Sequence, residues 1–130
     1  SSVVSLYPST ESVKVGETVT ITVLLTGKPA QATDVMVTFD SSMFSASNIV
    51  NGKVYSSLLR QEIKDGSVSI SGAIEPVAQP DMKTGELATF TLKALKKGKT
   101  DIMLDKSKTI TAVNGANTLS KVENITLVVE

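Results

Sequence analysis

Residues 13–26 read VKVGETVTITVLLT, and the second half of this segment has the two-residue period of a half-buried β-strand. After a turn at Gly16-Glu17, apolar residues occupy every odd position from Val19 to Leu25, and threonines occupy the even positions up to Thr22. Successive side chains of a strand point to opposite faces, so this pattern predicts one core face and one outward face. Leu24 interrupts the polar set, so we expect the outward face to be partly covered near its end.

The same alternation recurs along the chain at regular intervals, with turn residues between the alternating segments. The expected strands are residues 2–7, 18–26, 33–40, 43–50, 53–63, 67–74, 85–95, 100–104 and 121–129. A helical turn over residues 58–62 is the alternative within the fifth of these. Short strands with no helical crossover favour an antiparallel sandwich or barrel. We therefore predict an all-β fold, a nine-stranded antiparallel β-sandwich, with residues 1–130 as one domain.

Glycine marks three special positions in this scheme. Asn51-Gly52 and Asp65-Gly66 are typical of two-residue hairpin turns, because both residues of each pair tolerate positive φ. Gly72 falls on the apolar side of its strand, which predicts a bulge or a close approach of another group.

Composition excludes several classes of function. Thirteen basic residues balance thirteen acidic ones, which argues against nucleic-acid binding. No apolar run approaches the ~20 residues of a membrane-spanning helix, so we expect no membrane insertion. No leader-like segment is present, so we expect a mature or excised segment. Histidine and cysteine are both absent, which removes the commonest general base, the commonest metal ligand and all thiol chemistry.

The acidic residues do not form a pattern that points to chemistry. Glu62, Asp65, Glu75 and Asp81 fall on expected turns and loops without converging, so we predict that the chain is not an enzyme. The hard oxygen ligands of Asp101, Asp105 and Glu123 suit calcium, but their spacing is not that of an EF-hand loop, and solvated charges are the preferred interpretation.

Asn124-Ile125-Thr126 fits a glycosylation sequon. It lies inside an expected strand, so we interpret it as a chance match.

Five segments, in order along the chain, resemble strands of the cohesin domain of bacterial scaffoldins, including divergent or non-cellulosomal members. They are VKVGETV (13–19), FDSSM (39–43), ISGA (70–73), GELATFTLKAL (85–95) and KVENITLVV (121–129). The resemblance covers almost the whole chain at nearly the length of such a domain. It implies a jelly-roll-like topology for the sandwich.

The resemblance also implies a partner. Cohesins bind dockerins, which are small calcium-loaded helical modules, mainly through one flat sheet made by their third, fifth, sixth and eighth strands. Asp34 stands where many cohesins carry an Asp, whereas Ala32 replaces an Asn that is often found two residues earlier. The class of dockerin is left open by these differences.

The outward residues of that sheet are the first candidate contacts, and a solvated sheet face of Ser and Thr is the alternative interpretation. They are Asp34, Met36, Thr38, Ser69, Ser71 and Ala73. The adaptable thioether of Met36 suits a contact surface.

Two further groups complete the candidate contacts. Tyr55 and Leu58, with Leu59, offer an apolar anchor beside Arg60, unless one of the two leucines packs into the core. Asn114 lies in the loop 105–116, where it offers hydrogen bonds as a rim, or belongs to a flexible connection.

Three functions are therefore weighed: a dockerin-binding module, a carbohydrate-binding module and an Ig-like spacer. The shortage of aromatic residues, two Tyr and three Phe, counts against sugar stacking. For the first function we expect no cofactor on this chain, calcium on the dockerin partner, and an extracellular location on the bacterial surface. We expect the isolated domain to be a monomer.

Overall fold

The structure, a computed structural model, describes every residue from Ser1 to Glu130 and consists of strands joined by turns and loops. The strands are β1 (Ser2–Pro8), β2 (Ser12–Val13), β3 (Thr18–Gly27), β4 (Ala32–Thr38), β5 (Phe44–Asn51), β6 (Leu58–Lys64), β7 (Ser67–Ala73), β8 (Gly85–Ala94), β9 (Gly98–Leu104), β10 (Ile110–Val113), β11 (Ala116–Asn117), β12 (Leu119–Glu123) and β13 (Ile125–Val129). The all-β prediction is confirmed. The thirteen strands exceed the predicted nine because β2, β10 and β11 pair beside the main strands and the last predicted strand is divided into β12 and β13.

Two sheets face each other. One has the order β12-β1-β3-β8-β5. In the other, β6 pairs with β7 and β7 with β4, while the opposite edge of β4 is shared by β10 near its start and β9 near its end. The second sheet then continues through β9 to β13 and β2.

The core lies between the sheets and follows the alternation read from the sequence. Val19, Ile21, Val23 and Leu25 of β3 are at most 1% exposed, while Leu24 is half-buried on the other face, as predicted. Twenty-five buried apolar residues from both sheets form one continuous cluster.

The end of the chain departs from the predicted single strand over residues 121–129. The chain breaks at Asn124, so β12 pairs parallel with β1 in one sheet while β13 pairs antiparallel with β9 and parallel with β2 in the other. Asn124 lies between strands, not inside one, and its Oδ1 accepts a hydrogen bond from the Leu104 amide at 2.7 Å. The prediction of its position was wrong because one alternating pattern runs through a crossing from sheet to sheet.

Of the two hairpins predicted at glycine pairs, one is present and the other is not. Asp65-Gly66 forms the predicted hairpin between β6 and β7, with Gly66 at φ 82°. Asn51-Gly52 forms no hairpin, because β5 and β6 belong to different sheets. Gly52 instead continues beside β8, where a Cβ would overlap the carbonyl oxygen of Glu86.

Candidate functional site

The outward side of the sheet β6-β7-β4, with the adjoining parts of β9 and β10, is the candidate face. Alternation on β4 buries Val35 and Val37 and turns Asp34, Met36 and Thr38 outward. The register between β4 and β7 then sets which side chains stand next to one another on this face.

Asp34 lies near one end of the face. It stands opposite Ser71 of β7 on one side and Ile110 of β10 on the other. Arg60 of β6 follows in the same row, opposite Ser71. Asp34 is exposed and has neither an ion pair nor a side-chain hydrogen bond within the chain, so its carboxylate is free to accept bonds from a partner.

Met36 lies at the centre of the face, opposite Ser69, whose Oγ is 3.4 Å from the Met36 sulfur. No strand pairs with Met36 on its other side, yet its backbone is satisfied. Its carbonyl accepts from the Asp105 amide at 2.8 Å, and its amide donates to Thr109 Oγ1 at 3.3 Å. The connection between β9 and β10 therefore holds the middle of β4 where a ladder would otherwise be required.

That connection is itself fixed by Asp105. The carboxylate of Asp105 accepts bonds from the amide and hydroxyl of Ser107, at 3.0 and 2.7 Å. The hydroxyl bond is the main reason that the pKa of Asp105 lies below its ordinary value. Loop 105–116 is thus not simply a flexible connection, since it also contains β10 and begins β11.

Two apolar residues on this face were missed by the sequence reasoning. Met103, 46% exposed, stands opposite Thr38, and Ile110, 39% exposed, stands opposite Asp34. Together with Met36 they make an apolar patch on an otherwise small and polar surface. Alternation within β9, where Ile102 and Leu104 are buried, could have predicted that Met103 faces outward. Ile110 lies in a polar segment whose sequence has no pattern that would have predicted its position.

The charges on β6 lie beyond β7, on the side of the face away from Met103 and Ile110. Glu62 is paired with Lys64 along the strand, at 3.2 Å, and Arg60 makes no ion pair. Positive and negative charges alternate from Arg60 to Lys64, so the face carries no strong net charge.

Tyr55 does not contribute to the face, and its prediction as an exposed anchor was wrong. It is 3% exposed, with its hydroxyl 2.7 Å from Thr33 Oγ1 and donating to the Ala30 carbonyl at 3.1 Å. Burial raises the pKa of this phenol. The ring fits because Gly72 leaves a slot, where a Cβ would overlap the ring, which fulfils the close approach predicted at Gly72.

The remaining predicted residues fall in different places. Leu58 turns inward opposite Gly72 and packs against the core, while Leu59, at a bulge, is 73% exposed. Leu58 is thus a core contact rather than part of the anchor. Ser69 faces outward but is only 6% exposed between its neighbours, whereas Ser71 and Ala73 are half-buried.

Asn114 lies at φ 50° in the turn between β10 and β11, beyond the end of the face. Its backbone amide donates to Gln31 Oε1 at 2.6 Å, and its side-chain Oδ1 accepts from Gln31 Nε2 at 3.3 Å. The side chain is therefore engaged within the domain, although it stays exposed.

The acids considered for calcium are each held separately. Asp101 accepts from Thr126 Oγ1, Asp105 from Ser107 and Glu123 from Ser5. No group of three or more His, Cys, Asp or Glu is placed to hold a metal ion.

A cleft of about 470 Å³ lies away from the candidate face and is lined by Glu75 and Asp81. Glu75 accepts from Ser56 Oγ at 3.0 Å, and Asp81 pairs with Lys83 at 3.5 Å. Lys53 also lines this cleft, so its two carboxylates share the space with two lysines.

Aromatic side chains form no exposed strip. Phe44, Phe90 and Tyr55 are buried and Phe39 packs partly against the core. Tyr7, 52% exposed, lies on β1 in the other sheet. The arrangement therefore lacks the planar platform on which sugar rings stack. The structure also contains no helix of the length and apolarity needed to cross a membrane.

The chain matches the sequence model of one protein family. The model of the cohesin domain matches residues 4–129. No curated protein sequence matches the chain.

Solved structures share the fold. The third cohesin of ScaC from Acetivibrio cellulolyticus, in complex with the ScaB dockerin, is similar with a TM-score of 0.84 and 16% identity, covering 99% of each chain. The cohesin CaCohA2 from Clostridium acetobutylicum gives 0.79 at 20% identity, covering 98% of this chain and 90% of that one. A non-cellulosomal cohesin from Archaeoglobus fulgidus gives 0.76 at 8% identity, covering 99% and 91%.

Proposed function

This chain belongs to the cohesin domain family, and from that membership and the geometry above we propose that it is a non-catalytic module that binds a dockerin-bearing partner through the candidate face. The observation that carries the proposal is the unpaired carboxylate of Asp34 beside an apolar patch of half-buried Met36 and exposed Met103 and Ile110. A solvated sheet face has no need of three large apolar residues along β4 and the edge that it shares with β9 and β10.

The mechanism is surface complementarity. A sheet held by core packing presents the patch without rearrangement, so a partner helix laid across β4 loses little of its binding energy to ordering this chain. Apolar side chains of the helix bury the patch, and the flexible thioethers of Met36 and Met103 adapt to their shape. A donor from the helix satisfies Asp34, and small Ser and Thr side chains allow close approach.

Several structural relatives support this choice of partner. The third cohesin of ScaC is solved with the ScaB dockerin, and the sixth cohesin of scaffoldin B from the same organism is solved with the Cel5 dockerin. For this chain we infer that calcium belongs to the dockerin and that the domain itself needs no cofactor. We also infer an extracellular place on a scaffold, where the domain holds a polysaccharide-degrading enzyme.

Calorimetric titration against a panel of dockerins tests the proposal, first with calcium and then with chelator. We expect one or more dockerins to bind with a one-to-one stoichiometry, and chelator to abolish that binding. Silence across the whole panel would contradict the proposal and leave a structural spacer as the function.

Two substitutions test the face itself. Met36→Ala and Asp34→Lys should each weaken dockerin binding at least tenfold, because the few contacts that dominate an interface each carry roughly 1–2 kcal/mol or more when removed. Thr20→Ala and Glu86→Lys, on the exposed side of the other sheet, are matched controls that should bind like the parent. If the two face variants bind like these controls, the face is wrongly assigned even though a dockerin binds.

A further inference from the structure

Strand β6 is an open edge of the sheet. It pairs with β7 on one side only, and no strand of the chain lies on its other side. Six of its seven residues are exposed, and none is proline. Such an edge can receive another strand, and proteins usually protect it.

The hairpin fixes which backbone groups point to the open side. In a two-residue hairpin the closing residues, here Lys64 and Ser67, exchange hydrogen bonds with each other, and bonded and non-bonded positions then alternate along the strand. Glu62 and Arg60 therefore bond towards β7. The amides and carbonyls of Gln61 and Ile63 point outward, and neither residue takes part in a backbone bond outside the strand ladders.

We propose that this edge pairs with β6 of a second copy of the chain, antiparallel, with Gln61 opposite Gln61 of the second copy. Charge complementarity supports this partner: Arg60 then faces Glu62 of the second copy, and the two-fold symmetry repeats the pair. Ile63, 40% exposed, meets Leu59, 73% exposed. One short segment, LLRQEIK, thus supplies both halves of an isologous interface.

The register is selected by the same charges. A shift of two residues towards the turn keeps the outward amides aligned but places Glu62 opposite Glu62 and Arg60 opposite Lys64, which are like-charge pairs. The same shift in the other direction places Arg60 opposite Arg60. A shift of four residues pairs Glu62 with Lys64 but runs into the turn at Asp65-Gly66. Only the register centred on Gln61 combines opposite charges with five paired residues, 59–63, inside the strand.

The consequence is one continuous sheet across two domains. The two-fold axis of an antiparallel pair stands perpendicular to the sheet, so both candidate faces lie on the same side. The interface is small, and interfaces below about 1,200 Å² belong to weak, transient complexes. The expectation of a monomer therefore applies to dilute solution, and the dimer forms as concentration rises.

Sedimentation equilibrium of the isolated domain tests the proposal up to about 1 mM, a range suited to weak complexes. We expect a monomer–dimer equilibrium in the parent. Gln61→Pro removes an amide that β7 does not use and should abolish the dimer, whereas the matched control Gln61→Ala keeps that amide and should dimerise like the parent. Circular dichroism checks that both variants keep the fold.

A charge swap tests the register. Arg60→Glu should weaken dimerisation roughly tenfold, because two cross-strand pairs change from attraction to repulsion. Adding Glu62→Arg should restore it, since the introduced acid of each copy then faces the introduced base of the other. In the register shifted by four residues, the double variant would instead place the introduced arginine against Lys64 and stay monomeric.

A parent that stays monomeric at every concentration overturns the proposal, as does a Gln61→Pro variant that dimerises like the parent. Hydrogen exchange gives a second readout: the Gln61 amide should become protected as the domain is concentrated. Protection that appears only with a dockerin would assign the edge to that partner and likewise overturn the proposal.

Discussion

At the scale of single residues, the absence of a side chain at Gly72 determines where Tyr55, the largest buried polar residue, can lie. Tyr55 lies under β7 only because Gly72 has no Cβ. Its hydroxyl then bonds to Thr33 and to the Ala30 carbonyl, which joins the segment before β6 to the start of β4. A residue that looks like an exposed anchor in the sequence is thus part of the support beneath the candidate face.

Gly72→Ala should lower the free energy of unfolding by about 1–3 kcal/mol, because the new methyl group overlaps the Tyr55 ring in a closely packed core. Urea denaturation measures the change. The neighbouring outward residue gives the control, since Ser71→Ala should stay within about 0.5 kcal/mol of the parent. Equal stability of the two variants would show that the ring can move aside without cost.

Tyr55→Phe keeps the ring and removes only the hydroxyl. We expect a loss of about 1–2 kcal/mol in unfolding free energy, because Thr33 Oγ1 and the Ala30 carbonyl are left without a buried partner. The same change at exposed Tyr7, Tyr7→Phe, should have almost no effect. A Tyr55 variant as stable as the Tyr7 variant would mean that water replaces both bonds.

At the scale of elements, alternation predicted strands well wherever one face is buried. β3, β4 and β7 follow it, and β8 follows it from Ala88 onward, since the core selects one face and the side-chain period is two. β6 is the exception, because its position at an edge leaves six of seven residues exposed and weakens the pattern. Its first residues were consequently predicted too early, at Lys53 instead of Leu58.

The parallel pair of β1 and β12 includes one side-chain hydrogen bond to a carboxyl group whose titration can be measured. Ser5 Oγ donates to Glu123 Oε1 at 2.7 Å, and this bond, followed by the charge of Lys121, lowers the pKa of Glu123 below its ordinary value of 4.5. Ser5→Ala should raise this pKa, and Lys121→Ala should raise it less. NMR titration of the carboxyl measures both changes.

The sign of the linked stability follows from the direction of that shift. A carboxyl with a depressed folded pKa stabilises the fold above its unfolded pKa, and this contribution disappears as the pH falls through the folded pKa. The bond's contribution to the stability difference between parent and Ser5→Ala should therefore be present at neutral pH and vanish in acid. A Glu123 pKa that does not move in Ser5→Ala would contradict this account.

At the scale of the whole molecule, the two sheets bury one continuous core, and we expect the fold to need no ion. Asp101, Asp105 and Glu123 each bond to a separate hydroxyl, so we expect the melting temperature of the domain to be the same with calcium and with chelator. Calorimetric scans of the domain alone measure this. A calcium-dependent rise would reveal a site on this chain and would change the interpretation of any chelator effect on dockerin binding.

The candidate face is also a property of the whole molecule. Asp34, Met36 and Thr38 could be placed on it from one strand, because alternation fixes their side relative to Val35 and Val37. Met103 and Ile110 stand beside them only because β9 and β10 share the edge of β4, a pairing between segments that are far apart in the chain. No local pattern specifies which distant strands become neighbours.

The sequence by itself determined the class of fold, the inward and outward sides of the main strands, the hairpin at Asp65-Gly66 and the resemblance that led to the family. These depend on local periods and on backbone preferences of single residues. Only the tertiary structure decided the burial of Tyr55, the inward turn of Leu58, the division of the last strand at Asn124 and the apolar patch around Met36. Each of these depends on the register and packing of distant segments, because side chains from different strands become neighbours only when the sheets form.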